Sequence, residues 1–311
     1  MHHRQIRIGI DLGGTKIAAI ALDGDGRELI RRRIATPRGD YAATVAAVHK
    51  LVRDMESELG VVASVGMGIP GAISPATGLV KNANSTWLIG QPLKQDLSAA
   101  LQREVRIEND ANCFIVSEAT DGAARDAEVA FGVIVGTGTG GGIAIAGRAV
   151  TGVNAIGGEW GHNPLPWPGD DERPGPSCYC GKQACIETYL SGPGLERDYA
   201  AGAGVALSVP EIVARAEDGE PGAEATLVRY EQRMARALAS VINVLDPQVI
   251  VLGGGLSNIA RLYTTVPRLW QEYVFSDQVA TQLRPPRHGD ASGVRGAAWL
   301  WPAGDNNTTT C

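Results

Sequence analysis

The most constraining feature of this chain is a strand–hairpin–strand pattern that occurs twice. Ile6-Arg7-Ile8-Gly9-Ile10 alternates apolar residues and is rich in β-branched side chains, so it reads as a strand. Asp11-Leu12-Gly13-Gly14-Thr15-Lys16 interrupts it, and Ile17–Leu22 resumes the apolar run. About 125 residues later, Ala130–Val135, the Gly/Thr turn Gly136–Gly142 and Ile143–Ala146 repeat the arrangement. Such a duplication predicts two α/β domains, each opening with a hairpin whose tip is suited to a ligand. At 311 residues the chain is long enough for two cores.

Between the hairpins the spacing changes. Val45, Val48, Leu51, Val52, Met55 and Leu59 predict a helix over 42–59 that ends at Gly60. Ser64–Gly71 predicts a strand running into a turn, and Pro92 a helix start for 93–103. Val105–Ile107 predicts a strand, followed by a helix over 111–122. Beyond the second hairpin, 159–194 reads as loop, 210–216 and 224–244 as helices, and Val249–Leu252 as a buried strand ending in Gly253-Gly254-Gly255. A last helix is expected near 294–301, and the polar tail Ala303–Cys311 reads as frayed.

The formal net charge of −6 and the absence of any basic run longer than Arg31-Arg32-Arg33 argue against a nucleic-acid partner. No apolar stretch is long enough for a membrane span, and the start lacks a signal-peptide pattern, so a cytoplasmic location is expected.

Four groups of residues carry chemistry. Glycine amides at Gly13 and Gly14, with Thr15, Lys16 and the Asp11 carboxylate, suit phosphate oxygens and a bound Mg²⁺. Gly136, Thr137 and Gly138 offer a second grip on the same phosphates. Gly136, Gly138 and Gly141 also match G-x-G-x-x-G, but a strand rather than a helix is expected next, so a dinucleotide-binding reading is rejected. No Walker-type loop is present. Asp110, at a strand-to-helix junction, reads as an N-cap or as a general base, and the two are compatible because a helix N-terminus keeps a carboxylate ionised.

Cys178, Cys180 and Cys185 supply three thiolates in one short loop, and His162 is the nearest histidine. Three sulfurs and an imidazole form the closed tetrahedral set of a structural Zn²⁺ site, against the alternative of buried free thiols or a redox pair. Cys113 and Cys311 receive no role. Asn84, Asn109, Glu159, His162 and Glu187 suit paired sugar hydroxyls, although each alone is as readily a cap or surface residue. One ring nitrogen of His162 would then face zinc and the other a ligand hydroxyl. Trp87, Trp160 and Trp167 are cleft walls or core.

Asp11–Lys16, Gly136–Gly142, Glu159-Trp160-Gly161-His162 and Cys178-Tyr-Cys-Gly-Lys-Gln-Ala-Cys-Ile-Glu187 together resemble the ROK family of repressors, open reading frames and sugar kinases. Lys81–Trp87, Gly158–Trp167 and His288–Trp301 resemble the bacterial fructokinases (manno-fructokinases) of that family. The resemblance implies a two-domain actin-like ATPase fold of the hexokinase and heat-shock ATPase superfamily, ribonuclease H-like, with an interdomain cleft and a zinc-pinned loop. Residues 1–114 with 294–311 would form the small domain and 115–293 the large one.

It further implies ATP between the domains, phosphates on both glycine tips, adenosine near Gly253–Gly255, and Asp110 as catalytic base. Asn84, Asn109, Glu159, His162 and Glu187 match its sugar-binding positions. The implied reaction phosphorylates a hexose at the 6-hydroxyl, D-fructose first, with mannose, glucose or an N-acetylhexosamine as the alternative. The implied assembly is a homodimer. Rival readings are a sugar-sensing regulator, for which Asp11 leaves no room for a preceding DNA-binding domain, and an ATPase without a sugar substrate. One residue departs from the pattern: Ala184 stands where the family usually has Gly. A positive φ there would strain the loop.

Overall fold

The computed structural model describes residues 5–302. The tail 303–311, with Cys311, and residues 1–4 lie outside the described residues. The chain divides into two compact units, one of residues 1–125, 147–157 and 290–311, the other of 126–146 and 158–289. The division falls after 125 rather than 114, because the helix over Asp110–Thr120 packs on the C-terminal helix of its own unit. The segment 147–157 also returns to the first unit.

The first unit is built on β1 (Arg7–Leu12), β2 (Lys16–Leu22), β3 (Glu28–Ala35), β4 (Ser64–Ile69) and β5 (Val105–Asn109), in sheet order β3-β2-β1-β4-β5. β1 runs antiparallel to β2, with Leu12 opposite Ile17, and parallel to β4, with Asp11 opposite Gly68. β4 in turn runs parallel to β5, with Ile69 opposite Asn109. Helix α1 (Tyr41–Leu59) starts where Asp40 accepts from the Ala43 N–H and stops at Gly60, whose φ of 67° is left-handed. Its Val48, Leu51, Val52 and Met55 are buried with Ile8, Ile10, Val65 and Met67 of the sheet. Each such side chain contributes about 1.5–3 kcal/mol on burial.

Helices α2 (Leu93–Leu101) and α3 (Asp110–Thr120) follow. The chain's last helix, Ser292–Trp299, lies on the sheet at glycine positions. A Cβ on Gly9 would sit 2.1 Å from the Val294 carbonyl oxygen, and one on Gly66 would sit 1.8 Å from that of Ala297. Only glycine admits this helix so close to the strands.

The second unit repeats the plan. β6 (Val129–Val135) and β7 (Thr139–Ile145) form the antiparallel hairpin, with Val135 opposite Thr139. β8 (Val249–Gly253) pairs parallel to β6, and β9 (Gln282–Arg284) parallel to β8. The order β7-β6-β8-β9 matches β2-β1-β4-β5 in both sequence and sense. A strand follows the Gly136–Gly142 turn, as the rejection of a dinucleotide fingerprint requires.

Five helices cover this sheet: α4 (Ile186–Leu190), α5 (Gly192–Ala203), α6 (Val209–Glu217), the 25-residue α7 (Pro221–Leu245) and α8 (Leu262–Leu269). Helices α4, α5 and α8 were not anticipated. Gly192-Pro193-Gly194 closes the span read as loop, yet Ser191 caps the Gly194 N–H and Pro193 stands in the first turn, where a missing N–H costs nothing. Among the described residues no helix is long and apolar enough to cross a membrane.

Candidate active site

In the first unit the hairpin tip is closed by its own backbone. The Gly13 N–H donates to the Lys16 carbonyl (3.0 Å), and the Thr36 hydroxyl donates to the Gly13 carbonyl (2.8 Å). Thr15 and Lys16 are exposed. Asp11 is half-buried; burial raises its carboxyl above the ordinary value and the Lys16 ammonium pulls it partly back. Ser85 is buried behind the tip, its Oγ 3.5 Å from where a Cβ on Gly14 would be, and Asn84 beside it is exposed.

Asp110 is not the cap of its helix. Asn109 is: its Oδ1 accepts from the Ala111 N–H (2.9 Å) and its Nδ2 donates to the Gly71 carbonyl (3.2 Å). Asp110 is the first helical residue and exposed, with Oδ1 accepting from the Ala111 N–H (2.8 Å). The helix N-terminus favours its ionised form. Burial, and the charges of Glu108, Asp11 and Asp110, push the Cys113 thiol well up, so Cys113 is an inert core group beside these carboxylates. Asp11 is the penultimate residue of β1 and Asn109 the last of β5, and β1, β4 and β5 run parallel. Both therefore lie at the carboxyl end of the sheet, where ligands bind in parallel-stranded folds.

The second hairpin is placed at the same end of its own sheet, after the last residue of β6. Two contacts hold its tip. The Thr139 N–H donates to Glu187 Oε2 (2.9 Å), and the Gly192 N–H donates to the Gly136 carbonyl (2.7 Å). Thr137 is exposed between them. Gly253 ends the parallel strand β8, and Gly254 (φ 82°) presses on the hairpin, since a Cβ there would lie 2.3 Å from the Val135 carbonyl oxygen. The glycine turn and the hairpin tip are thus neighbours.

His162, Cys178, Cys180 and Cys185 converge, with one ligand atom from each within 4.8 Å of the others. Cys178 Sγ lies 3.6 Å from His162 Nδ1, and Cys180 Sγ 3.6 Å from Cys185 Sγ. A tetrahedral Zn²⁺ with Zn–S near 2.3 Å and Zn–N near 2.0 Å separates its ligand atoms by about 3.5–3.8 Å. The donor set fits that ion. Burial and the neighbouring Cys180 and Cys178 push Cys185 up to about 12, so the thiols resist joint ionisation unless a cation joins them. Ala184, inside this loop, has φ 56°, the left-handed conformation that favours glycine.

The second ring nitrogen of His162 is also engaged. Nε2 lies 3.0 Å from the Tyr179 hydroxyl, and the two rings meet edge to face at 5.2 Å. Sequence reasoning missed this partner, because nothing in the run Cys178-Tyr179-Cys180 shows where the phenol turns. Glu159 is exposed near His162 in sequence, whereas Trp160 is core: its indole donates to the Gly140 carbonyl (3.0 Å) and meets Phe131 edge-on. Trp167 is half exposed against Tyr273. Two buried polar atoms of these segments, Trp87 Nε1 and Thr139 Oγ1, have no hydrogen-bond partner among the described residues.

The geometry has counterparts in known proteins. A sequence model described as the ROK family matches residues 7–303. The chain is 40% identical over 296 residues to the N-acetyl-D-glucosamine kinase of Pectobacterium atrosepticum, covering 94% of this chain and 97% of that protein. It is similar in structure to the ROK hexokinase of Thermus thermophilus, with a TM-score of 0.83 at 32% identity over 94% of this chain and 97% of that one. The ROK glucokinase of Streptomyces griseus, solved with glucose and AMPPNP, matches with a TM-score of 0.74 at 27% identity, over 95% and 98% of the two chains. The two α/β units thus have the hexokinase-like fold. Because the family model runs from the first strand to beyond the last helix, the chain belongs to the ROK family.

Proposed function

We propose that this chain is an ATP-dependent sugar kinase that transfers the γ-phosphoryl group to the 6-hydroxyl of a hexose. The observation that carries this reading is the placement of Asp11 and Asp110 at the carboxyl end of one sheet, with Asn109 taking the capping duty and leaving Asp110 exposed. In the proposed reaction Asp110 accepts the proton of the attacking hydroxyl, the oxygen bonds to phosphorus and ADP leaves. The Gly13 and Gly136 N–H groups close their own tips, so these two glycines shape the phosphate sites, and the amides of Gly14 and Gly138, with Thr15, Lys16 and Thr137, hold phosphate oxygens. Gly253–Gly255 backs the adenosine.

Asp11 would orient the water shell of Mg²⁺, which when bound neutralises charge on the β- and γ-phosphates. Asn84, Asn109, Glu159, His162 and Glu187 bind the sugar. Structural Zn²⁺ on His162, Cys178, Cys180 and Cys185 pins the loop that leads into α4. A cytoplasmic homodimer completes the proposal.

N-acetyl-D-glucosamine is the acceptor favoured by the 40% identical relative, ahead of the fructose expected first from sequence. D-fructose stays as the second reading, because Lys81–Trp87, Gly158–Trp167 and His288–Trp301 resemble fructokinases. A coupled ADP-release assay with N-acetylglucosamine, fructose, mannose and glucose, and a no-sugar control, tests both. The highest kcat/KM identifies the acceptor, and equal turnover without sugar refutes the kinase reading.

A further inference from the structure

Glu108 stands directly before Asn109 and two residues before Asp110 in β5, and both of its carboxylate oxygens are engaged. Oε1 accepts from the Thr151 hydroxyl (2.7 Å) and Oε2 from the side-chain amide of Asn112 (2.7 Å). Glu108 and Thr151 are half-buried, lie 43 residues apart in sequence and belong to the same unit. Thr151 opens a loop over 151–157, which its own carbonyl closes by accepting from the Gly157 N–H (2.9 Å). The loop is tied a second time, since Lys81 Nζ donates to the Asn154 carbonyl (2.6 Å). Lys81 pairs with Ala72, and the carbonyl of the preceding Gly71 accepts from Asn109 Nδ2 (3.2 Å). These contacts form a closed ring through Glu108, Thr151, Asn154, Lys81, Gly71 and Asn109. Asn109 is a member, Asp110 is joined to it, and Asn84 follows Lys81 by three residues.

We propose that Glu108 is a positioning residue of the sugar site: it closes this ring and so fixes Asn84, Asn109 and Asp110 relative to one another. The proposal rests on the sugar-kinase reading. Oε1 holds the ring shut, and Oε2 holds the first turn of α3, where Asp110 stands. A ring that opens part of the time presents the complete site in only a fraction of the molecules, and apparent sugar affinity falls in proportion. Glu108 acts through its two contacts, so a glutamine can replace it. The glutamine oxygen accepts from Thr151, and its nitrogen donates to Asn112 once that amide turns over. Asn112 is free to turn, because its buried Oδ1 has no hydrogen-bond partner among the described residues.

Thr151→Val, Glu108→Ala, the two combined, and Glu108→Gln are compared with wild type. The readouts are kcat/KM for the hexose that wins the assay above, KM for ATP, and hydrogen exchange of the 151–157 amides without sugar. Thr151→Val should lower kcat/KM for the sugar by about tenfold, the loss of one hydrogen bond, and Glu108→Ala by at least as much. ATP KM should not change, and exchange over 151–157 should quicken in both. The combined variant should be no worse than Glu108→Ala, since both changes break the same contact. Glu108→Gln should recover most of the loss.

Glu108→Gln as poor as Glu108→Ala overturns the proposal, because the charge and not the contacts would then matter. Additive losses in the combined variant overturn it too. So does a Thr151→Val protein that is less stable yet keeps its kcat/KM, which would leave the ring a purely structural device. Thr151→Val and Glu108→Gln carry the test if Glu108→Ala does not fold. A wild type that phosphorylates no hexose removes the sugar-kinase reading itself, a failure seen before any variant is compared.

Discussion

Glu172 sits at the root of the metal loop, and its removal should be costly in a pH-dependent way. Its carboxylate accepts from Arg233 Nε and from both terminal nitrogens of Arg236 at 2.8 Å, and from the Gly169 N–H at 2.9 Å. The side chains of Glu172 and Arg233 are only 7% and 8% exposed. Burial would raise this carboxyl, but the hydrogen bonds from Arg236 and Arg233 outweigh it and bring the pKa from 4.5 to about 2. The shift corresponds to about 3 kcal/mol at neutral pH.

A folded pKa below the unfolded one means stability that is full above pH 4.5 and is lost as pH falls toward 2. By pH 4 the loss is about 1 kcal/mol and by pH 3 about 2 kcal/mol. Glu172→Gln cannot titrate and leaves two buried guanidinium groups short of charge, so it should destabilise by about 3–4 kcal/mol at pH 7. The gap to wild type should shrink to about 1–2 kcal/mol at pH 3. Urea unfolding of both proteins at matched pH values from 7 to 3 measures it. Proton uptake by the metal ligands is common to both proteins and cancels in the difference. A gap that stays constant across that range would refute the reasoning.

Four other outcomes are expected. Asp110→Asn should lower turnover by about 10²–10⁴-fold with little change in ATP KM, and near-wild-type turnover would remove Asp110 from the role of base. Ala184→Gly relieves a left-handed backbone worth about 1–2 kcal/mol and costs about 0.5–1 kcal/mol in chain entropy; unfolding should therefore shift upward slightly, and a clear drop would show that the methyl group matters more than the strain. Purified protein should carry close to one zinc per chain, as the four-ligand cluster among the described residues implies. Chelation should weaken nucleotide binding, because α4 and α5, which follow the metal loop, hold the second hairpin through Glu187–Thr139 and Gly192–Gly136. A metal-free protein that stays folded and fully active would contradict this.

Much of the frame was legible because its signals are local. Strand alternation, the apolar spacing of 42–59 and the left-handed glycine at its end all act within a few residues. The Cys178–Cys185 spacing likewise brings three thiols together whatever the rest of the chain does. Reading failed where one residue type serves two structures. Gly192-Pro193-Gly194 closed the span read as loop and is a helix start. Asp110 looked like a cap, and Asn109 one position earlier takes that place. The split of the chain was misplaced because α3 belongs with the helix that packs on it, over 170 residues away in sequence, as the Ser292–Glu118 hydrogen bond shows (separation 174).

The sequence alone determined the duplicated hairpins, the helical and strand periods and the composition of the metal cluster, since each follows from residues close together in the chain. Tertiary structure decided which nitrogen of His162 faces the thiols and which faces Tyr179. It also decided that Glu172 meets Arg233 and Arg236, and that glycines 9 and 66 admit the last helix onto the sheet. Each of these is a meeting of side chains or backbone from distant segments. Its free energy comes from desolvation and close approach, which exist only once the units have packed.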